Sequence, residues 1–330
     1  MGNERMNTRG IDVHVWQQHA WVNRLQSVVL LLFMGGFLAL LGWLLWGAFG
    51  IAVLLVLGIV AVAFNPSASP RWVMRMYGAA RIGPERAPGL WAIVSRLAEG
   101  AGLPAVPELY YLPTRVLNAF AVGTREQAAI AVSDGLLRQL NERELVGVLA
   151  HEMSHVHTND LWVMGLADLF SRATRALSLI GQFLLLVNLP LILLSAVAIN
   201  WFAILLLIFA PTLSALAQLA LSRTREYDAD LNGARLTGDP EGLASALAKI
   251  ERVQGGWLER IFMPGRRAPV PSLLRTHPDT EQRIARLMEL KPALARADAP
   301  AWSRMGLDAH SMFGAPVTRA PRRHFNGLWY

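Results

Sequence analysis

The 330-residue chain contains no cysteine, and only two of its 31 basic residues are lysine. The first absence excludes disulfides, thiolate nucleophiles and thiolate metal ligands, so that only histidine and carboxylate could hold a metal. Charge is scarce as well. Asp, Glu, Lys and Arg make up 17% of the chain against 53% hydrophobic residues, too apolar for an ordinary soluble protein of this length. No charge occurs from Leu25 to Pro70 or from Ala176 to Ser222, runs of 46 and 47 residues, whereas about 20 apolar residues suffice to cross a bilayer once. The sequence has no internal repeat, no glycine-rich phosphate loop and no serine or cysteine triad pattern, which removes nucleotide-phosphate binding and acyl-enzyme chemistry from consideration.

Each uncharged run is long enough for two crossings and is predicted to be a hairpin. In the first, Gly42 to Gly50 with Trp43 and Trp46 marks an interfacial turn between spans near 26–43 and 48–64. In the second, Asn200 and Trp201 separate spans near 177–197 and 202–221, with kinks expected at Pro190 and Pro211; these helices could instead lie shallowly or cover the site. The net charge of +7 comes from arginines clustered beside the runs, which suits anionic lipid and not nucleic acid. Arg5, Arg9 and Arg24 precede the first run, Arg71, Arg75, Arg81 and Arg86 follow it, and Arg172, Arg175, Arg223 and Arg225 flank the second. By the positive-inside rule these flanks face the cytoplasm and both turns face away. The first 24 residues are too long and polar for a signal-peptide leader, so an uncleaved anchor is expected.

The chemistry is carried by His151-Glu152-Met153-Ser154-His155. Asn141 with Glu144 three residues on is a capping-box pattern, and Leu145, Val148, Leu149, Met153 and Val156 form an apolar stripe along the helix it begins. The two histidines, four apart, share a face about a third of a turn from that stripe, where both imidazoles can reach one ion. Gly147 leaves room on that side. The glutamate between them can accept a proton from an activated water. A third ligand is needed, and Glu226 in Ser222-Arg-Thr-Arg-Glu-Tyr-Asp-Ala-Asp230 is placed for it. Asp230, one turn on, is positioned to accept the outer N–H of a ligating histidine, while Asp228 points elsewhere. His14, His19, His157, His310 and His324 have no partner spacing. This donor set predicts one Zn2+ per chain.

With these motifs the chain resembles the HtpX-type membrane zinc metallopeptidases, relatives of the CAAX prenyl endopeptidases, over most of residues 20–290. The resemblance rests on Asn118-Ala-Phe-Ala-Val-Gly123, on Ala131-Val-Ser-Asp-Gly-Leu-Leu137 ahead of the His-Glu-Met-Ser-His motif, on Glu226-Tyr-Asp-Ala-Asp230, and on His277-Pro278 followed by Arg283. It implies that Glu226 is the third ligand, that His277 steadies the oxyanion, and that Arg283 supports the site. It further implies that Asn118, Ala119, Phe120 and Ala121 lie on an edge strand holding substrate backbone. The implied activity is cleavage of peptide bonds in misfolded or damaged membrane proteins, at the cytoplasmic face of a bacterial inner membrane.

The expected fold is a mainly α membrane protein with a small β-sheet, its zincin-like (gluzincin) protease domain split by a transmembrane hairpin. The predicted order is a cytoplasmic segment (1–24), a first hairpin (25–70), an amino-terminal protease segment (71–175), a second hairpin (176–222), a carboxy-terminal protease segment (223–292) and a tail (293–330). Within it, Gly89–Gly100 is predicted helical, Glu108–Leu112, Ala119–Val122 and Ala129–Val132 are strands, and Ser133 or Asp134 caps the next helix. Pro240 opens a helix to about Val253, Gln254–Thr276 is a loop carrying Trp257, Phe262 and Met263, and Pro278 opens a last helix to about Leu290. The tail, with five arginines, two aspartates and a Phe-Asn-Gly-Leu-Trp-Tyr ending, could be disordered, dock on the lipid or enzyme surface, or cross the cleft. Two rival readings are an intramembrane protease of the site-2 type, whose zinc motif sits in a transmembrane helix, and a membrane scaffold with a structural metal. The charged, amphipathic 141–159 segment argues against the first and Glu152 against the second.

Overall fold

The structure is a computed structural model, and it describes residues 11–63, 69–194, 201–261 and 280–291. His277, most of the 254–276 segment and the tail beyond Lys291 lie outside the described residues.

The chain divides into two compact units, one made of 1–22, 67–161 and 225–330, the other of 23–66 and 162–224. The second is the apolar one. Helix α1 (Val13–Ala63) breaks at Trp46 and at Gly47, where φ is +62°. A Cβ on Gly50 would stand 2.1 Å from the Gly42 carbonyl oxygen. Residues eight apart along a straight helix are roughly 12 Å distant, so the arms fold back on each other, as the glycine-flanked tryptophans predicted. Leu41 packs with Leu177 on α6 (Asp160–Leu194) and with Leu207 and Ala210 on α7 (Trp201–Thr237). Ser178 Oγ donates to the Leu207 carbonyl at 2.7 Å, and the Ser171 and Ser214 hydroxyls meet at 3.1 Å. Outward, this unit exposes Leu32, Phe49, Phe183, Leu186 and Phe202, more apolar surface than water tolerates. Helices α1, α6 and α7 are long and apolar enough to cross a membrane. Both α6 and α7 run unbroken through Pro190 and Pro211.

The other unit is built on a mixed sheet of order β1-β2-β4-β3, with β1 (Ala80–Arg81), β2 (Glu108–Leu112), β3 (Ala119–Gly123) and β4 (Ala128–Ser133). Central β4 is buried at every position, parallel to β2 and antiparallel to β3, which is left at the edge. Leu109, Ile130 and Val132 face α3 (Pro88–Gly100) and α5 (Glu142–His157), packing with Ile93, Val94, Leu149 and Met153. On the opposite face, Tyr110, Leu112, Ala129 and Ala131 pack with Met74 of α2 (Pro70–Met76). Short α4 (Asp134–Gln139) is capped by Ser133, whose hydroxyl accepts from Leu136 N. The capping box of α5 is formed in full, Asn141 accepting from Glu144 N and Glu144 from Asn141 N.

Two local readings differ. Helix α8 (Pro240–Ile261) passes the expected stop near Val253 and continues through Gly255-Gly256. It does so where paired glycines predict an end, and α9 (Thr280–Glu289) follows later in the chain. Gly147 does not open a cleft: a Cβ there would meet the Leu243 backbone at 2.9 Å, so the missing side chain lets α5 and α8 touch. Glu226 and Asp230 lie on α7, which runs on from the second apolar run to Thr237.

Candidate active site

Helix α5 presents His151 and His155 on one face, their Nε2 atoms 3.2 Å apart and their rings edge to face. From α7, Glu226 brings Oε2 to 3.5 Å from His151 Nε2 and Oε1 to 3.8 Å from His155 Nε2. The two helices approach this closely because residue 233 of α7 is glycine; a Cβ there would lie 3.1 Å from the backbone nitrogen of His151. Donor atoms of His151, His155 and Glu226 all fall within 4.8 Å of one another.

The far side of each imidazole is already engaged. His151 Nδ1 lies 3.0 Å from Asp230 Oδ1, and Arg283 of α9 clasps Asp230 with Nε to Oδ2 at 2.7 Å and Nη2 to Oδ1 at 2.6 Å. Arg283 Nη1 also stands 3.5 Å from Glu226 Oε2. His155 Nδ1 lies 2.7 Å from Asp160 Oδ2. With each Nδ1 proton committed to a carboxylate, two imidazole lone pairs and a carboxylate converge, and only a cation satisfies all three. Desolvation works to lower the His151 pKa, yet its bonds to Asp230 and Glu226 raise it to about 10. A proton is thus attracted where a cation would sit. His155 is raised likewise, Asp160 overcoming burial. The residues therefore fit a metal.

Glu152, between the histidines, turns to the sheet: its Oε2 accepts from Ala121 N at 3.0 Å. On β3 the Asn118 carbonyl accepts from Ser133 N, and Thr124 N donates to Gln127 O. Even-numbered positions therefore bond to β4, and Ala119, Ala121 and Gly123 face the open side. Of the four predicted substrate contacts, Ala119 and Ala121 direct backbone groups outward, while Asn118 and Phe120 turn theirs into the sheet.

A family model described as peptidase family M48 matches residues 84–291, more than half of the chain. The chain belongs to peptidase family M48. A "Protease HtpX homolog" of Desulfatibacillum aliphaticivorans is 35% identical over 303 residues, covering 82% of this chain and 90% of the relative. Its namesake in Campylobacter hominis is 34% identical over 294 residues, 83% of this chain and 100% of the relative. The crystal structure of S. mikatae Ste24p is 19% identical, with a TM-score of 0.41 over 84% of this chain and 67% of that one, a loose likeness that adds nothing to the family match. With its long apolar helices, the chain is a membrane metallopeptidase of this family, mainly α with a small mixed sheet. The M48 motif lies on α5, a 16-residue helix with Glu142 and Glu144 in its first turn, and α5 is not among the three membrane-length helices. The site-2 reading therefore fails on placement, and the scaffold reading on family.

Asp160 and Arg225 were not found from the sequence. Asp160 carries no spacing signal, because Asn159 with φ +58° redirects the chain between α5 and α6; only an Asn-Asp pair two residues past the helix end hinted at it. Arg225, read from the sequence as a basic residue flanking the second apolar run, binds Asp160 and Asp228.

Proposed function

We propose that this protein is a zinc endopeptidase of the bacterial inner (cytoplasmic) membrane, multi-pass, cleaving misfolded or damaged membrane proteins at the cytoplasmic face. The observation that carries the reading is the convergence of His151, His155 and Glu226 beside a carboxylate, Glu152, that touches an open sheet edge. His151, His155 and Glu226 would hold one zinc ion per chain, which when bound supplies a Lewis acid for the scissile carbonyl and for water. Glu152 takes the proton of the attacking water and returns it to the leaving amine. The Ala121 N–H aims that carboxylate. Asp230 and Arg283 hold His151 in one tautomer, and His277 steadies the oxyanion. Substrate adds as a strand along β3, the Asn118–Ala121 edge, through the outward backbone groups of Ala119 and the carbonyl of Ala121, so recognition is of backbone more than side chain. The arginines flanking both apolar runs support a cytoplasmic site by the positive-inside rule.

Two variants test this. Glu152→Gln should abolish casein cleavage and retain zinc, whereas Glu226→Ala should lose both; full zinc and turnover in Glu226→Ala would overturn the ligand set. Sidedness is tested by single cysteines in this cysteine-free chain. Cysteines at the exposed positions Met76 and Arg223 should label only from the cytoplasm, and one at Phe49 only from outside.

A further inference from the structure

The two histidines of the site are held from behind by matching devices. His151 leans on Asp230, which Arg283 clasps; His155 leans on Asp160, which Arg225 clasps through Nε at 2.7 Å and through Nη2. Arg225 also reaches Asp228 at 3.3 Å. Side-chain exposure is 5% for Asp160, 9% for Arg225 and 4% for Asp228, so these charges have left water. Replacing such a cluster with well-packed apolar residues is often neutral or stabilising, so stability alone gives little reason for it. Geometry gives a better one. One Asp160 oxygen is bound to the imidazole and the other to the guanidinium, which leaves the carboxylate no freedom to rotate.

Backbone detail points the same way. Asn159 is the one non-glycine with positive φ among the described residues, a left-handed conformation that costs about 1–2 kcal/mol. It turns the chain so that the first residue of α6 comes back under the last turn of α5. Arg225 immediately precedes Glu226 on α7, so the residue that anchors Asp160 adjoins the one that faces both histidines.

We propose that Asp160 is a positioning residue of the metal site, held by Arg225. It sets the His155 tautomer and ring orientation so that Nε2 faces His151 and Glu226, and Arg225 keeps Asp160 charged and fixed. The inference rests on the proposed ligand set, and its test separates the two. Zinc affinity of the full-length protein in detergent is measured by competition with a chromophoric chelator, alongside thermal unfolding of the metal-free protein. Asp160→Asn, which keeps an acceptor near Nδ1 and loses the charge, should weaken zinc about 10- to 100-fold, and Arg225→Lys should weaken it less. The triple variant Asp160→Leu, Arg225→Met, Asp228→Asn removes all three charges of the cluster and refills their volume. It should unfold near the wild-type temperature yet still bind zinc weakly, and its cobalt-substituted form should show a shifted visible spectrum. Wild-type zinc affinity in Asp160→Asn or in the folded triple variant overturns the positioning role. His155→Ala, run in parallel, must lose zinc; if it binds normally the ligand set itself falls, and if it alone weakens, only this inference does.

Discussion

The two units bury polar groups of different kinds. In the apolar unit the buried polar residues are Asn23, Ser27, Ser171, Thr174, Ser178, Ser214, Ser222 and Thr224, all neutral. In the catalytic unit they include Glu144, His151, Asp160, Arg225, Asp228, Asp230, Asp239 and Arg283. Every buried charged side chain among the described residues belongs to the unit that carries the site. A hydroxyl can satisfy itself on its own helix or a neighbour's, as Ser178 does on Leu207, whereas a charge needs a counter-charge and further donors brought from elsewhere in the chain. Several charge pairs in the catalytic unit join distant positions, Arg283 with Asp230, 53 residues apart, and Lys249 with Glu144, 105 apart, beside local ones such as Arg225 with Asp228. The lesson is that the catalytic unit gives up stability for orientation, and the apolar unit avoids the need.

The sharpest way to break the contrast is to orphan one of the buried charges. Arg283→Leu leaves Asp230 with only His151 and should cost about 3–5 kcal/mol, read as a fall in thermal unfolding temperature in detergent that exceeds any other here. Next comes a charge placed on the neutral side. Ser214→Asp should cost about 2.5–3.5 kcal/mol and lower the fraction of chain recovered in the membrane; a harmless aspartate at this position would mean that the unit tolerates charge after all. Gly147→Ala, against the Leu243 backbone, should cost about 1–3 kcal/mol by prising α5 from α8, with partial loss of activity because α5 carries the histidines.

A smaller effect is pH-dependent. Burial works to raise the Glu144 pKa, but Lys249 at 2.6 Å, the Asn141 N–H and Ser245 together hold it below its usual 4.5. A depressed folded pKa means that its stabilisation is fully present above 4.5 and is lost as pH falls through the lower folded value. Glu144→Gln should therefore be less stable than wild type at neutral pH, and the gap should close on acidification when unfolding is followed from pH 7 downward. The smallest effect expected is for Ser171→Ala, about 0.6 kcal/mol, because the hydroxyl it leaves on Ser214 can turn to its own helix.

How much of this was legible depends on distance along the chain. The capping box of α5, the histidine pair and the turn between Gly42 and Gly50 are patterns of nearby residues, and the structure forms each of them. The positions of β2, β3 and β4 were legible to within a residue or two for the same reason, since alternation and flanking turns are local, whereas two-residue β1 has no such pattern and was not predicted. Gly147 was misread because its partner, Leu243, is 96 residues away. The end of α8 was missed because Gly255-Gly256 reads locally as a stop, yet the helix continues to Ile261.

By itself the sequence determined which residues could meet a metal and which stretches must leave water, because helical periodicity and the absence of charge follow from covalent spacing and from transfer energies. Only the tertiary structure decided how they are used. It turned the chain at Asn159 to set Asp160 behind His155, brought Arg283 to Asp230, and let Gly233 draw Glu226 up to the histidines. Each of these is a contact between segments whose separation no local propensity encodes, and each exists because a buried carboxylate or imidazole must find its partner in space.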